Sequence, residues 1–255
     1  MTTRRTLSGE LTRFSFPAGI IQPMGVIASF FQRWYPEILY QGDRSRREIA
    51  LTFDDGPHPR DTPRLLEVLE RHQVRATFHL VGRGAERQPD LVRQIHECGH
   101  QSALHCYRHI PFPLEAPAAL RQGLERTRNA IADACEIPPE TIRDLRPPYG
   151  AFTARTRSLL AGWGYRLVMW SCMPPHWMQP VNRSIRQVLE AIVPGAVIVL
   201  HDGHGHGARV VDIVKAVVPR AKALGFEFVT VEEMQLARKQ PAVQPERSGR
   251  MHETG

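Results

Sequence analysis

Apolar residues recur along this chain in two alternating rhythms. Short continuous runs at 49–53, 76–81, 101–104, 142–146, 165–170, 196–201 and 226–231 read as buried strands. Between them lie longer stretches whose apolar positions return every three or four residues. Leu65, Leu66, Leu69 and Val74 mark one, Leu91, Val92 and Ile95 another, and Leu120, Leu124, Thr127 and Ile131 a third. That spacing gathers apolar side chains on one face of a helix. Thr62-Pro63, Pro89 and Thr153 supply start signals, as a cap, a first-position proline or both, and Gly99 and Gly164 supply stops. Helices are also expected over 184–192, over 210–224 and from 232 onward.

Apolar strands that alternate with helices predict parallel strands covered by helices. About seven such units suit a single α/β domain folded as a barrel, deformed or incomplete, with an open sheet as the alternative. The domain is expected over 46–237. Residues 1–45 read as a leader, and 238–255 as a polar, proline-bearing tail expected to be disordered. The apolar part of the leader, 14–35, is broken by Pro17, Gln22, Pro23 and Gln32. It is too interrupted for a membrane-spanning helix, which needs about 20 apolar residues. Arg4-Arg5 weakly resembles a twin-arginine export signal, but Glu10 and Arg13 follow and no small-residue cleavage site is clear. The leader is open to being cleaved, packed on the domain or held at a membrane surface.

The formal charge of +7 favours anionic partners, such as cell-wall polymers or a phospholipid surface. Nucleic acid is argued against, because no basic block is interleaved with aromatics. The four cysteines show no Cys-x-x-Cys spacing and are expected as buried free thiols. Oligomeric state leaves no mark in the sequence.

In a barrel of this kind the active site lies at the carboxyl ends of the strands. The first strand ends in Asp54-Asp55-Gly56-Pro57, and two adjacent carboxylates are costly to bury unless paired or metal-bound. The third ends in His105 and His109, four apart and so on one side of a helical turn. The fourth gives Arg146-Pro147-Pro148-Tyr149, the fifth leads to His176-Trp177, and the sixth gives His201 followed by a loop with His204 and His206. Two imidazoles and a carboxylate make a three-ligand metal site with an open position, suited to Zn(II), Fe(II) or Mn(II).

These segments resemble the motifs of the polysaccharide deacetylase family, the NodB-homology or carbohydrate esterase 4 family. Thr52-Phe53-Asp54-Asp55-Gly56-Pro57 is similar to its first motif, His105-Cys106-Tyr107-Arg108-His109 to its second, Arg146-Pro147-Pro148-Tyr149 to its third and Val199-Leu200-His201 to its fifth. Ala76-Thr77-Phe78 also matches its second strand. The resemblance covers about residues 46–236. It implies a deformed (β/α) barrel and a metal-dependent enzyme, most readily with zinc. The implied substrate is an acetylated glycan, peptidoglycan or chitooligosaccharide, which favours a cell-envelope or extracellular location. It also implies Asp55, His105 and His109 as metal ligands, Asp54 as general base, His201 as general acid and Arg146 as the residue that holds Asp54. The Tyr149 amide would stabilise an oxyanion, and Tyr149, Trp177, Pro148 and Val199 would face substrate.

The chain departs from the family pattern in three telling places, one of them the 203–207 loop, which reads as a flexible polar loop with His204 or His206, and likewise His58, at the cleft edge as the alternative. Cys106 stands where the family has Ser or Thr, and its side chain is expected to point away from the ligands. In the fourth motif Met173 and His176 replace two aspartates, so His176 is expected to tune His201 without a fixed negative charge. That change leaves two alternatives open: an acetyl ester or other non-peptide C–N bond as substrate, or a weakly active glycan-binding relative. The six intact site residues argue against the second.

Overall fold

The computed structural model describes residues 24–203 and 207–239. Its centre is β1 (Glu48–Asp54), apolar at most positions and buried along its whole length. A strand buried on both faces must also have both edges paired. β2 (Thr77–Val81) runs parallel along one edge of β1 and β6 (Val197–His201) along the other. β3 (Gln101–Cys106), β4 (Asp144–Leu145) and β5 (Arg166–Leu167) continue the sheet beyond β2, in the order β5-β4-β3-β2-β1-β6. β7 (Glu227–Phe228) pairs only with the start of β1, ahead of the point where β2 begins. All seven strands are parallel, as the alternating pattern predicts.

The ring is deformed rather than regular. After β5 the chain meets β6 through one bridge, Cys172 to Ile198, with the Ser171 and Cys172 amides both donating to the Val197 carbonyl. Pro174 and Pro175 follow and can donate nothing, so no ladder extends there. Residues 38–40, read from sequence as leader, cover the other edge of the β5 segment. The Leu39 amide donates to Leu167 O at 3.0 Å and the Met169 amide to Leu39 O at 2.7 Å. A helix absent from the sequence reading, α1 (Met24–Trp34), precedes them. Residues 1–23 of the leader and 240–255 of the tail lie outside the described residues.

Helices α2 (Asp61–Arg71), α4 (Pro89–Glu97), α5 (Pro117–Cys135), α6 (Ala154–Gly162), α7 (Val181–Ala191), α8 (Gly207–Ala223) and α9 (Val231–Lys239) occupy the predicted intervals. α3 (Gly82–Arg87), Gly-Arg-Gly-Ala-Glu-Arg, has no apolar stripe by which sequence could find it. Thr153 caps α6, accepting from the Thr156 amide at 3.1 Å. Thr62 does not cap α2. The helix starts two residues earlier, with Arg60 at the cap position, and the Thr62 hydroxyl is drawn to a buried acceptor, Asp202. All four cysteines are free, but Cys98 is exposed because it follows the last turn of α4.

Inside the ring, Leu39, Ala50, Val168, Val197, Val231 and Met234 form a small apolar core at the amino ends of the strands. Below it α9 is tied in by Asp144, which is 1% exposed. Its carboxylate accepts from Gln235 at 2.6 Å, Gln101 at 2.7 Å and Arg166 Nη2 at 3.0 Å. Asp144→Ala removes the common acceptor of these donors. It is expected to cost about 2–3 kcal/mol, read as a lower urea midpoint with an unchanged m-value.

Candidate active site

The pleat sets which side chains enter the ring. Alternate residues of β1 face inward, and register aligns Thr52 with Val199 and Asp54 with both His79 and His201. Asp54 and His201 therefore stand side by side at the carboxyl ends. His105 occupies the end of β3, two strands away.

Arg146 binds these walls together from within. It is wholly buried, and every arm of its guanidinium is occupied. Nη1 donates to Asp54 Oδ1 at 2.6 Å and to Thr52 Oγ1 at 2.7 Å; Nη2 donates to Met169 O at 3.0 Å; Nε donates to Val168 O at 3.3 Å. Burial pushes the Asp54 carboxyl up, but the Arg146 charge, joined by His105, His79 and His201, brings Asp54 below its ordinary value.

Asp55 leaves the strand with φ 74°, the left-handed region, so its carboxylate turns toward β3. There Asp55 Oδ1 lies 3.2 Å from His105 Nε2 and 3.0 Å from His109 Nε2, and the two Nε2 atoms are 3.1 Å apart. His105 Nδ1 faces the Arg146 carbonyl at 2.8 Å. A carbonyl only accepts, so neutral His105 carries its proton on Nδ1 and turns an Nε2 lone pair to the common point. Donors roughly 2.0–2.1 Å from a shared divalent ion sit about 3 Å from one another, so this trio fits such an ion. It is the only cluster of three or more such groups found among the described residues. Tyr149 adds a support that its motif did not announce: its hydroxyl is 3.2 Å from His109 Nδ1.

Across the cleft, His176 is completely buried behind His201. The His201 amide is 3.1 Å from His176 Nε2, and His201 Nδ1 is 3.2 Å from the same atom. The amide can only donate, so His176 Nε2 accepts, and His201 Nδ1 must carry the proton between the rings. The proton that His201 exchanges with the cleft is then the one on Nε2. Burial lowers the His201 pKa below its ordinary value, and the nearby Asp54 and Asp55 only partly oppose it. Trp177 stands edge-on to His201, with ring centroids 4.9 Å apart.

The remaining expected residues divide by exposure. Tyr149 is 64% exposed and Trp177 partly so, and both can meet a ligand. Val199 and Pro148 are buried and give a ligand no side-chain surface: Val199 points inward one pleat below His201, and Pro148 is covered by the wall. Cys106 points away from the trio into the outer core, as its place next to inward His105 requires. His58 pairs with Asp61 at 3.1 Å. His204 and His206 lie outside the described residues. Asp202, buried directly after His201, carried no assigned role in the sequence reading; the signal for it was a carboxylate at a strand end beside a site histidine.

A family model described as polysaccharide deacetylase matches residues 41–168. The chain is 36% identical over 194 residues to a chitooligosaccharide deacetylase of Bradyrhizobium sp. (strain ANU 289), covering 71% of this chain and 88% of that protein. It is 32% identical over 193 residues to the peptidoglycan-N-acetylglucosamine deacetylase PgdA of Listeria monocytogenes, covering 75% of this chain and 39% of that longer protein. The crystal structure of the Bc1960 peptidoglycan N-acetylglucosamine deacetylase, bound to 4-naphthalen-1-yl-N-oxidanyl-benzamide, superposes with a TM-score of 0.75 at 29% identity. That match covers 80% of this chain and 95% of the other.

Proposed function

The chain belongs to the polysaccharide deacetylase family, and on that premise we propose that it removes N-acetyl groups from GlcNAc units of peptidoglycan or chitooligosaccharide with a divalent metal, zinc first among them. The observation that carries this reading is the division of the cleft: a ligand trio on one wall, an arginine-held carboxylate beside it, and a histidine facing both. The same relatives favour a cell-envelope or extracellular setting. Among the described residues no helix is long and apolar enough to cross a membrane.

Asp55, His105 and His109 would hold the ion. When bound, it supplies positive charge and Lewis acidity at the reacting carbonyl and makes water a stronger acid. Asp54, kept ionised by Arg146, accepts the proton of the attacking water. His201, protonated at Nε2, gives a proton to the departing amine, which otherwise leaves poorly. Trp177 and Tyr149 offer apolar faces to the sugar, and His176 holds the His201 ring.

Acetate release from chitooligosaccharides and from peptidoglycan tests the reading directly. Activity is expected to vanish with a chelator and return with Zn(II). Chelator-resistant acetate release, or none from either glycan, would overturn it.

His176 makes a second prediction. A neutral imidazole beside His201 supplies no fixed negative charge, and the lowered pKa means that His201 loses its proton as pH rises through a lower value. The acid-competent form therefore disappears early on the alkaline side. His176→Asp is expected to move the alkaline limb of the kcat/KM profile upward by about one pH unit or more. An unchanged profile would remove His176 from the acid side. The histidine at 176 also favours a second reading, an acetyl ester, because an alkoxide leaves with less help than an amine; acetylated xylan assayed beside the N-acetyl glycans separates the two.

A further inference from the structure

Asp55 holds its place against a backbone conformation that a side chain disfavours. Something must impose φ 74° on it, and the surrounding contacts show what does. The turn 54–58 is tied at each end. At its start the Asp202 amide donates to the Asp54 carbonyl at 3.2 Å. At its finish the His58 amide donates to Thr62 Oγ1 at 2.8 Å. Thr62 Oγ1 in turn donates to Asp202 Oδ2, so one pair of side chains spans both ties. The middle of the turn is backed by Asp202 and its neighbour Gly203. A Cβ on Gly56 would lie 2.6 Å from Asp202 Oδ1, and a Cβ on Gly203 would lie 2.5 Å from Asp55 Cβ and 2.6 Å from Asp55 O. From the β2 side the Val81 amide holds the Gly56 carbonyl at 2.8 Å.

We propose that Asp202 and Thr62 form a positioning clamp that holds the Asp55 carboxylate in ligand geometry. The proposal rests on Asp55 being a metal ligand. Neither residue reaches the cleft: Asp202 is 1% exposed and Thr62 is fully buried. They act through the turn they grip. Asp202 also turns its second carboxylate oxygen to the back of the turn, against Gly56. Its Oδ1 has no hydrogen-bond partner among the described residues, and it sits beside two other carboxylates. Burial, and after it the Asp55 charge, push its pKa up to about 7.

Zinc affinity is the readout, measured on the full chain by competition with a chromophoric chelator. Thr62→Val removes the hydroxyl that joins the two ties. Asp202→Asn keeps the shape but leaves one acceptor oxygen where the carboxylate has two, one facing Thr62 and one facing Gly56. Each is expected to raise the zinc Kd about 10- to 100-fold, the range seen when partners of metal ligands are lost. Thr62→Ser should restore affinity close to wild type, which a purely packing role for the Thr62 methyl would not predict. If Thr62→Val does not fold, Asp202→Asn and Thr62→Ser carry the comparison. Folded Asp202→Asn and Thr62→Val that both bind zinc within twofold of wild type would overturn the clamp and leave the deacetylase reading intact. Wild type that binds no zinc would overturn both.

Discussion

Arg146→Met is expected to lower the unfolding free energy by about 3–5 kcal/mol, the usual cost of removing one partner of a buried ion pair. For a domain of this size that is a fall in Tm of roughly 6–20 °C. The magnitude follows from where the charges sit. Arg146 is wholly buried and the Asp54 side chain is 4% exposed, so neither can turn to water when the other is lost. Met fills similar volume but leaves Thr52 Oγ1, Asp54 Oδ1 and the Val168 and Met169 carbonyls without their donor. The activity consequence has a definite sign. Burial raises the Asp54 pKa, and the Arg146 charge, together with His105, His79 and His201, brings it below its ordinary value; without Arg146 the largest opposing charge is gone and the Asp54 pKa rises. The base is then protonated up to a higher pH, so the acidic limb of the kcat/KM profile should move upward as the plateau falls. Thermal unfolding and a pH series on one preparation check both parts. A variant with unchanged Tm and an unmoved acidic limb would show that the pair does neither.

Asp54→Asn is expected to cut kcat roughly 10²- to 10⁴-fold, the range for loss of a general base. Asn keeps the shape and can still accept from Arg146, but it cannot take a proton from water. Its stability cost should be smaller than that of Arg146→Met, because the guanidinium keeps Thr52 and two carbonyls. The double variant distinguishes charge from packing. Asp54→Asn added to Arg146→Met removes the stranded carboxylate and should recover part of the lost stability, giving a non-additive cycle. Strict additivity would mean that the 2.6 Å contact carries no coupling energy. Residual activity of Asp54→Asn near wild type would move the base role to another group.

Much of the site was legible because strand ends are legible. An apolar run that stops at two carboxylates, and a histidine repeated after four residues, can be read without coordinates. Asp54, Asp55, His105, His109, Arg146 and His201 all come to one end of the ring. Residues whose part depends on a distant partner were not legible. Thr62 has every local mark of a helix cap, yet its hydroxyl points to Asp202, 140 positions away. Tyr149 read as a sugar-facing ring, and its hydroxyl also supports His109, 40 positions back. Val199 was carried along by its motif, although the inward pleat buries it.

By itself, the sequence determined the alternation of strands and helices, the parallel sheet and the inventory of acids, bases and ligands, because periodicity and strand-end chemistry are local. Tertiary structure decided the rest. The ring stays incomplete because Pro174 and Pro175 cannot donate across to β6. Asp55 becomes separable from Asp54 because the turn around it is gripped by Asp202 and Thr62. The proton that His201 exchanges is the one on Nε2, because a buried His176 accepts from its amide and keeps Nδ1 protonated. The grip on Asp55 and the place of the His201 proton depend on contacts between distant segments that form only when the ring folds, and no local pattern encodes them.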